Sequence, residues 1–99
     1  MNKETILDIV IKQVEQLNDT LPDNQKFSVN KDTILFGTGS SIDSLSLVSV
    51  IVDLEMIFSS EHGHDISLTD DRAMTRAISP FDNITSLVDY IDELVNETK

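Results

Sequence analysis

The chain has 99 residues, near the common size for a single hydrophobic core, and its 39% hydrophobic share argues against wholesale disorder. Seven basic residues stand against eighteen acidic ones, a formal charge of −11, so no basic stripe exists to displace counterions from nucleic-acid phosphates or to hold an anionic membrane surface. Three Gly and two Pro are too few to punctuate a turn-rich β-sandwich, and the lack of Cys excludes disulfides, thiolate nucleophiles and Cys-ligated metals.

The first element is a helix over 3–17. Ile6, Ile9, Val10, Val14 and Leu17 recur every three or four residues, Leu7 and Ile11 widen the stripe, and Glu4, Asp8, Lys12 and Glu15 fall on the wetter side. Asn18, Asp19 and Pro22 break the pattern. A long connection follows. Leu21, Phe27, Val29, Leu35, Phe36 and Ile42 are large apolar groups that gain by burial, so the loop is expected to dock across the helix ends, with a short helical turn near Thr33 to Phe36. Gly37-Thr38-Gly39-Ser40-Ser41 supplies a turn before the next element.

The stretch over 44–59 is densely apolar and β-branched at its centre, which leans toward strand by propensity. Its length decides for helix, because strands seldom run so far. Apolar residues nearly all round predict the central helix of the fold, touching several neighbours, with Asp43 as N-cap and Ser44 at the first helical position. Glu61-His62-Gly63-His64-Asp65 ends it, and Asp65-Ile66-Ser67-Leu68 reads as a short extended segment. Thr69 then caps a short helix with the modest apolar face Ala73, Met74, Ala77 and Ile78, stopped by Ser79-Pro80. The last helix carries Ile84, Leu87, Val88, Ile91, Leu94 and Val95 on one face, with Asp82 or Asn83 as its cap. These elements predict an all-α fold, a four-helix bundle of three long helices and one short one with a long loop between the first two, in one domain covering 1–99.

Few residues carry chemistry. Gly37-Thr38-Gly39 lacks the third Gly of a dinucleotide loop and the Lys of a phosphate-binding loop, and no Gly-x-Ser-x-Gly elbow is present. His62-x-His64, flanked by Glu61 and Asp65, has spacing that a divalent metal tolerates, but a polar loop between helices explains it better, and no metal is expected. Ser44 differs by position: a hydroxyl at a helix start faces partial positive charge and unpaired amides, which suit a phosphate ester. Position alone favours a plain capping role.

Leu35-Phe36-Gly37, then Ile42-Asp43-Ser44-Leu45, then a helix ending Leu54-Glu55-Met56-Ile57-Phe58, with Val88-Asp89-Tyr90-Ile91 in the last helix, together resemble the acyl carrier protein family over essentially the whole chain. The resemblance implies that Ser44, with Asp43 and Leu45 as motif neighbours, receives a 4′-phosphopantetheine arm from coenzyme A through a phosphopantetheinyl transferase. The arm's thiol then carries acyl groups to partner enzymes, and the carrier catalyses nothing itself. Asp53, Glu55 and Val48 on the second helix are the residues expected to meet those partners. Ser46, Ser49 and Met56 stand where the family commonly has acids, and the segment from Ser59 to Pro80 is longer than usual and contains Arg72 and Arg76. These departures point to a specialised pathway, with an acyl or aminoacyl cargo, and away from housekeeping fatty-acid synthesis. Val48, Ile51, Leu54, Ile84 and Ile91 are expected to line an interior that opens for the cargo. The rival reading is an acidic helical adaptor without a prosthetic group. No secretory signal or membrane span is evident, so a cytoplasmic monomer is expected.

Overall fold

Asn2 starts the first helix, its side-chain oxygen accepting the Thr5 amide at 2.9 Å. The computed structural model of the protein describes residues 2–36, 42–68 and 81–97. Within them lie three helices, α1 (Lys3–Asp19), α2 (Ser44–His62) and α3 (Ile84–Glu97), with one 3-10 turn at Asp23–Gln25. The architecture of the described residues is all-helical, with a lone antiparallel bridge between Ile34 and Asn83 as the only β pairing. The short helix predicted after Thr69 and the turn predicted over Gly37 to Ser41 fall outside the described residues.

The predicted stripe of α1 is the face that the fold hides. Ile6, Val10 and Val14 are fully buried, with Leu7, Ile9, Ile11 and Leu17 packed partly against the same core. α1 lies against both α2 and α3, and it is therefore the central helix among the described three. Among the described helices α2 therefore does not take the central place expected of it, and its relation to the short helix expected after Thr69 lies outside the described residues. An apolar residue on every side of α2 did not mean a neighbour on every side.

The long connection is docked as predicted at most of its apolar residues. Leu35 and Ile42 are buried, and Phe27 and Val29 pack against the core from its edge. Phe36 is exposed, contrary to expectation. The local polar groups explain how so long a loop stays in place. Asn18 at the end of α1 reaches across nine residues, its Nδ2 donating to the Phe27 carbonyl at 2.9 Å while its Oδ1 accepts the Phe27 amide at 3.0 Å. One side chain thus makes both hydrogen bonds that a strand partner would make.

Further along, the helical turn predicted at Thr33 to Phe36 is absent. The chain instead runs beside the start of α3: the Leu35 amide donates to the Asp82 carbonyl at 3.1 Å, the Ile84 amide to Thr33 at 3.1 Å and the Thr85 amide to Lys31 at 3.0 Å. The backbone here satisfies the first amides of α3, which no intrahelical partner reaches, so pairing displaces the local turn. Asn83 completes that start by accepting the Ser86 amide at 2.8 Å, which settles the cap between the two candidates.

Every apolar residue of α3 is buried, namely Ile84, Leu87, Val88, Tyr90, Ile91, Leu94 and Val95. At its other pole, α2 ends on Gly63 with φ +69, the left-handed conformation that a residue without Cβ adopts freely. Both Gly63 and His64 donate their amides to the Phe58 carbonyl, so α2 runs one turn beyond its predicted end. The loop then turns inward, where Ile66 and Leu68 join the core.

Candidate functional site

The start of α2 is built from four residues of sequence. Asp43 is extended, with φ −79 and ψ 164, and its carboxylate accepts the Ser46 amide at 2.7 Å while its carbonyl accepts the Leu47 amide at 3.0 Å. The amide of Ser46, then the Ser46 hydroxyl, holds the Asp43 carboxyl below its ordinary value of 3.8, because both stabilise the charged form. Ile42 and Leu47, which flank the cap at the positions of a hydrophobic staple, are both buried. The staple fixes the angle at which the chain enters the helix, and the cap fixes which residue comes first. That residue is Ser44.

Its two neighbours in the motif are exposed: Asp43 at the cap, and Leu45, which leaves 79% of its surface in water. Of the rival hydroxyls, Ser46 is half-buried one turn into the helix, and Ser40 and Ser41 fall outside the described residues. Ser44 is thus the first helical residue in a stretch whose flanks are open to another molecule.

The rest of α2 has two faces. Leu47, Val50, Ile51, Leu54 and Phe58 enter the core. Val48, Val52 and Met56 stand out in water at 54%, 46% and 62% exposure, in line with Leu45. Val48 therefore belongs to the outer surface, as its predicted recognition role requires, and not to the interior that was also predicted for it. Ile51, Leu54, Ile84 and Ile91 are in the core as expected.

The two acids predicted to meet partners differ. Asp53 is exposed. Glu55 is half-buried, and its Oε2 accepts the Leu68 amide at 2.9 Å, tying the loop after α2 back to the helix. A shallow groove of about 470 Å³ lies beside this tie, lined by Glu55, Met56, Ser59, Ser60, Asp65, Ile66 and Ser67. His62 is exposed, its ring 5.9 Å from that of Phe58, and among the described residues no three His, Cys, Asp or Glu side chains come together as a metal site.

Sequence reasoning did not single out Val52 at all, nor Met56 beyond its standing where the resembled family commonly has an acid, nor the Leu68 amide as the partner of Glu55. A signal for the first two existed. They stand seven and eleven residues after Leu45, on the line that continues it along a helix. Nothing local signalled the third, since Glu55 and Leu68 are thirteen residues apart.

Comparison of the chain with protein-family models, with curated proteins and with solved structures finds no match. Among the described residues no helix is long and apolar enough to cross a membrane.

Proposed function

We propose that the protein is a carrier that holds acyl or aminoacyl groups as thioesters on a 4′-phosphopantetheine arm attached to Ser44, and that it serves a specialised biosynthetic pathway. The observation that supports this most is the place of Ser44, first in α2 between the capping Asp43 and the exposed Leu45. The resemblance of Ile42-Asp43-Ser44-Leu45 and its surroundings to acyl carrier proteins supplies the identity of the group. In this reading residues 1–99 form one domain, and a short helix after Thr69 completes a bundle of four. The carrier is a cytoplasmic monomer without catalytic activity of its own.

The residues present fit such an attachment. A phosphodiester on Ser44 sits at the positive end of a helix of nineteen residues, with open flanks for a bulky donor and enzyme. Asp43 works against the added charge, but its carboxylate is already engaged by Ser46, which directs it back along the helix. The arm supplies a terminal thiol that no residue of the chain offers, since Cys is absent. Attachment forms the Ser44 Oγ–phosphorus bond and breaks the phosphoanhydride bond of coenzyme A. 3′,5′-ADP leaves, and the hydroxyl proton passes to a base on the transferase.

Incubation with coenzyme A and a broad-specificity phosphopantetheinyl transferase, followed by intact-mass measurement, tests the proposal. The mass should rise by one phosphopantetheine, and Ser44→Ala should abolish the rise without altering helicity. An unchanged mass with several such transferases would argue for the adaptor reading, which the exposed apolar face of α2 also favours. In that case Ser44→Ala retains full function.

A further inference from the structure

A small cavity lies away from α2, where the start of α1, the loop at Lys31 and the first two turns of α3 meet. Its volume is about 170 Å³, and no residue of α2 lines it. Val88 is buried and Leu7 half-buried, so these two form an apolar floor. Thr85 closes one side with its amide and its hydroxyl both donating to the Lys31 carbonyl, at 3.0 and 2.8 Å. Those bonds fix the Lys31 backbone against α3 and leave its exposed side chain on the rim.

The rim departs from the charge balance of the chain. Lys3, Lys31, Glu4 and Asp89 surround the opening, and their formal charges cancel where the whole chain carries −11. The two cations are not equivalent. Lys3 Nζ lies 2.9 Å from Asp89 Oδ1, and the hydrogen bond and charge of Asp89 raise its ammonium above the ordinary 10.5. Lys31 has no carboxylate partner among the described residues. Asp89 is thus taken up by Lys3, and one uncommitted cation remains above an apolar floor.

We propose that this cavity binds a small apolar monocarboxylate of the size of benzoate, its ring or short chain on Leu7 and Val88 and its carboxylate on Lys31. Volume sets the size: an apolar cavity of about 150 Å³ holds one benzene ring, so this one takes a single ring or a short branched chain and no long tail. Charge sets the class. A neutral molecule of that size leaves Lys31 unused, and an organic cation meets the like charge of Lys31 while Asp89 is already paired. Glu4 is the one rim charge that opposes an anion, and it is exposed, so water screens it. The bound acid would bridge α1, the loop and α3. Because α2 contributes nothing to the cavity, the site is independent of Ser44 and of the carrier reading.

The test is a titration of the full chain with benzoate, followed by amide chemical shifts. The amides of Leu7, Thr85 and Val88 should move together, with a Kd on the order of 1 mM at low salt. Benzamide and benzylamine should bind about fivefold or more weakly, since neither brings the charge that Lys31 pairs. Lys31→Met should weaken benzoate about fivefold while Lys31→Arg keeps it, and Glu4→Gln should tighten it about twofold. These variants replace exposed side chains, and circular dichroism checks that they fold. Leu7→Phe, which fills the cavity, should remove the shifts at Thr85 and Val88. No shift at these amides up to about 50 mM benzoate overturns the inference. So does equal binding of benzamide, or unaltered binding in Lys31→Met. Shifts centred on the exposed apolar residues of α2 make the contact a general hydrophobic one and overturn it as well. A short peptide ending in a phenylalanine carboxylate that binds about tenfold tighter than benzoate makes a protein C-terminus the occupant, and it too overturns the proposal.

Discussion

α2 and α3 are built from the same kinds of residue and meet water in opposite ways. Each carries a run of Leu, Ile and Val, and each is capped by a side-chain oxygen that accepts an amide three residues on. In α3 every apolar residue is buried, and Lys31, Thr33 and Asn83 occupy the amides of its first turn. In α2 five apolar residues are buried, Leu47, Val50, Ile51, Leu54 and Phe58, while four large ones stay in water. The difference teaches that apolar content does not measure a helix's share of the core. α3 is covered because α1 and the loop of residues 31–35 lie along it, whereas α1 is the one described helix packed on α2. The surplus on α2 remains available to something else.

The sharpest way to break this contrast is to truncate residues from both classes. Leu54→Ala or Ile91→Ala should cost about 2–5 kcal/mol in denaturant unfolding, because each leaves a hole in a closed core. Val52→Ala should stay within about 0.5 kcal/mol, since its side chain has little packing to lose. Equal costs would mean that the two faces of α2 are not distinct. A second, smaller effect concerns the loop that covers the end of α1. Asn18→Ala removes both bonds to Phe27 and should cost about 1–2 kcal/mol, with faster hydrogen exchange at the Phe27 amide. Unchanged exchange there would show that Phe27 and Val29 hold the loop by packing alone.

The helix starts provide the finer comparison. Asn83→Ala should cost about 1 kcal/mol, the usual value of a lost cap. Asp43 adds a pH dependence that Asn83 lacks. Its folded carboxyl titrates below the unfolded one, so its contribution is fully present above the ordinary value of 3.8 and disappears as pH falls through the lowered value. Melting temperatures of the unaltered chain and Asp43→Asn should therefore run parallel above that range and converge in acid, because Asn keeps the cap and removes the titration. Parallel curves throughout would assign the acid loss to other carboxylates.

Much of this protein was legible in its residues. The stripes at Ile6, Val10 and Val14 and at Ile84, Leu87, Ile91 and Leu94 are local periodicities, and a helix with one apolar face has few ways to hide it. Asp43 was legible as a cap for the same reason, since cap and capped amide lie three residues apart. The motif around Ser44 carried the functional reading, which the described geometry of its neighbours accommodates.

What only the tertiary structure decided are the relations between distant residues. Asn18 pins Phe27, Glu55 takes up the Leu68 amide, and residues 31–35 pair with the start of α3 where the sequence alone favoured a helical turn. Each satisfies a backbone group whose need for a partner is certain but whose choice depends on what folding brings near. The same holds for α2. Its residues determined that it is a helix and that Asp43 and Ser44 begin it. Which of its apolar faces meets the core, and which stays exposed, depended on where α1 came to lie.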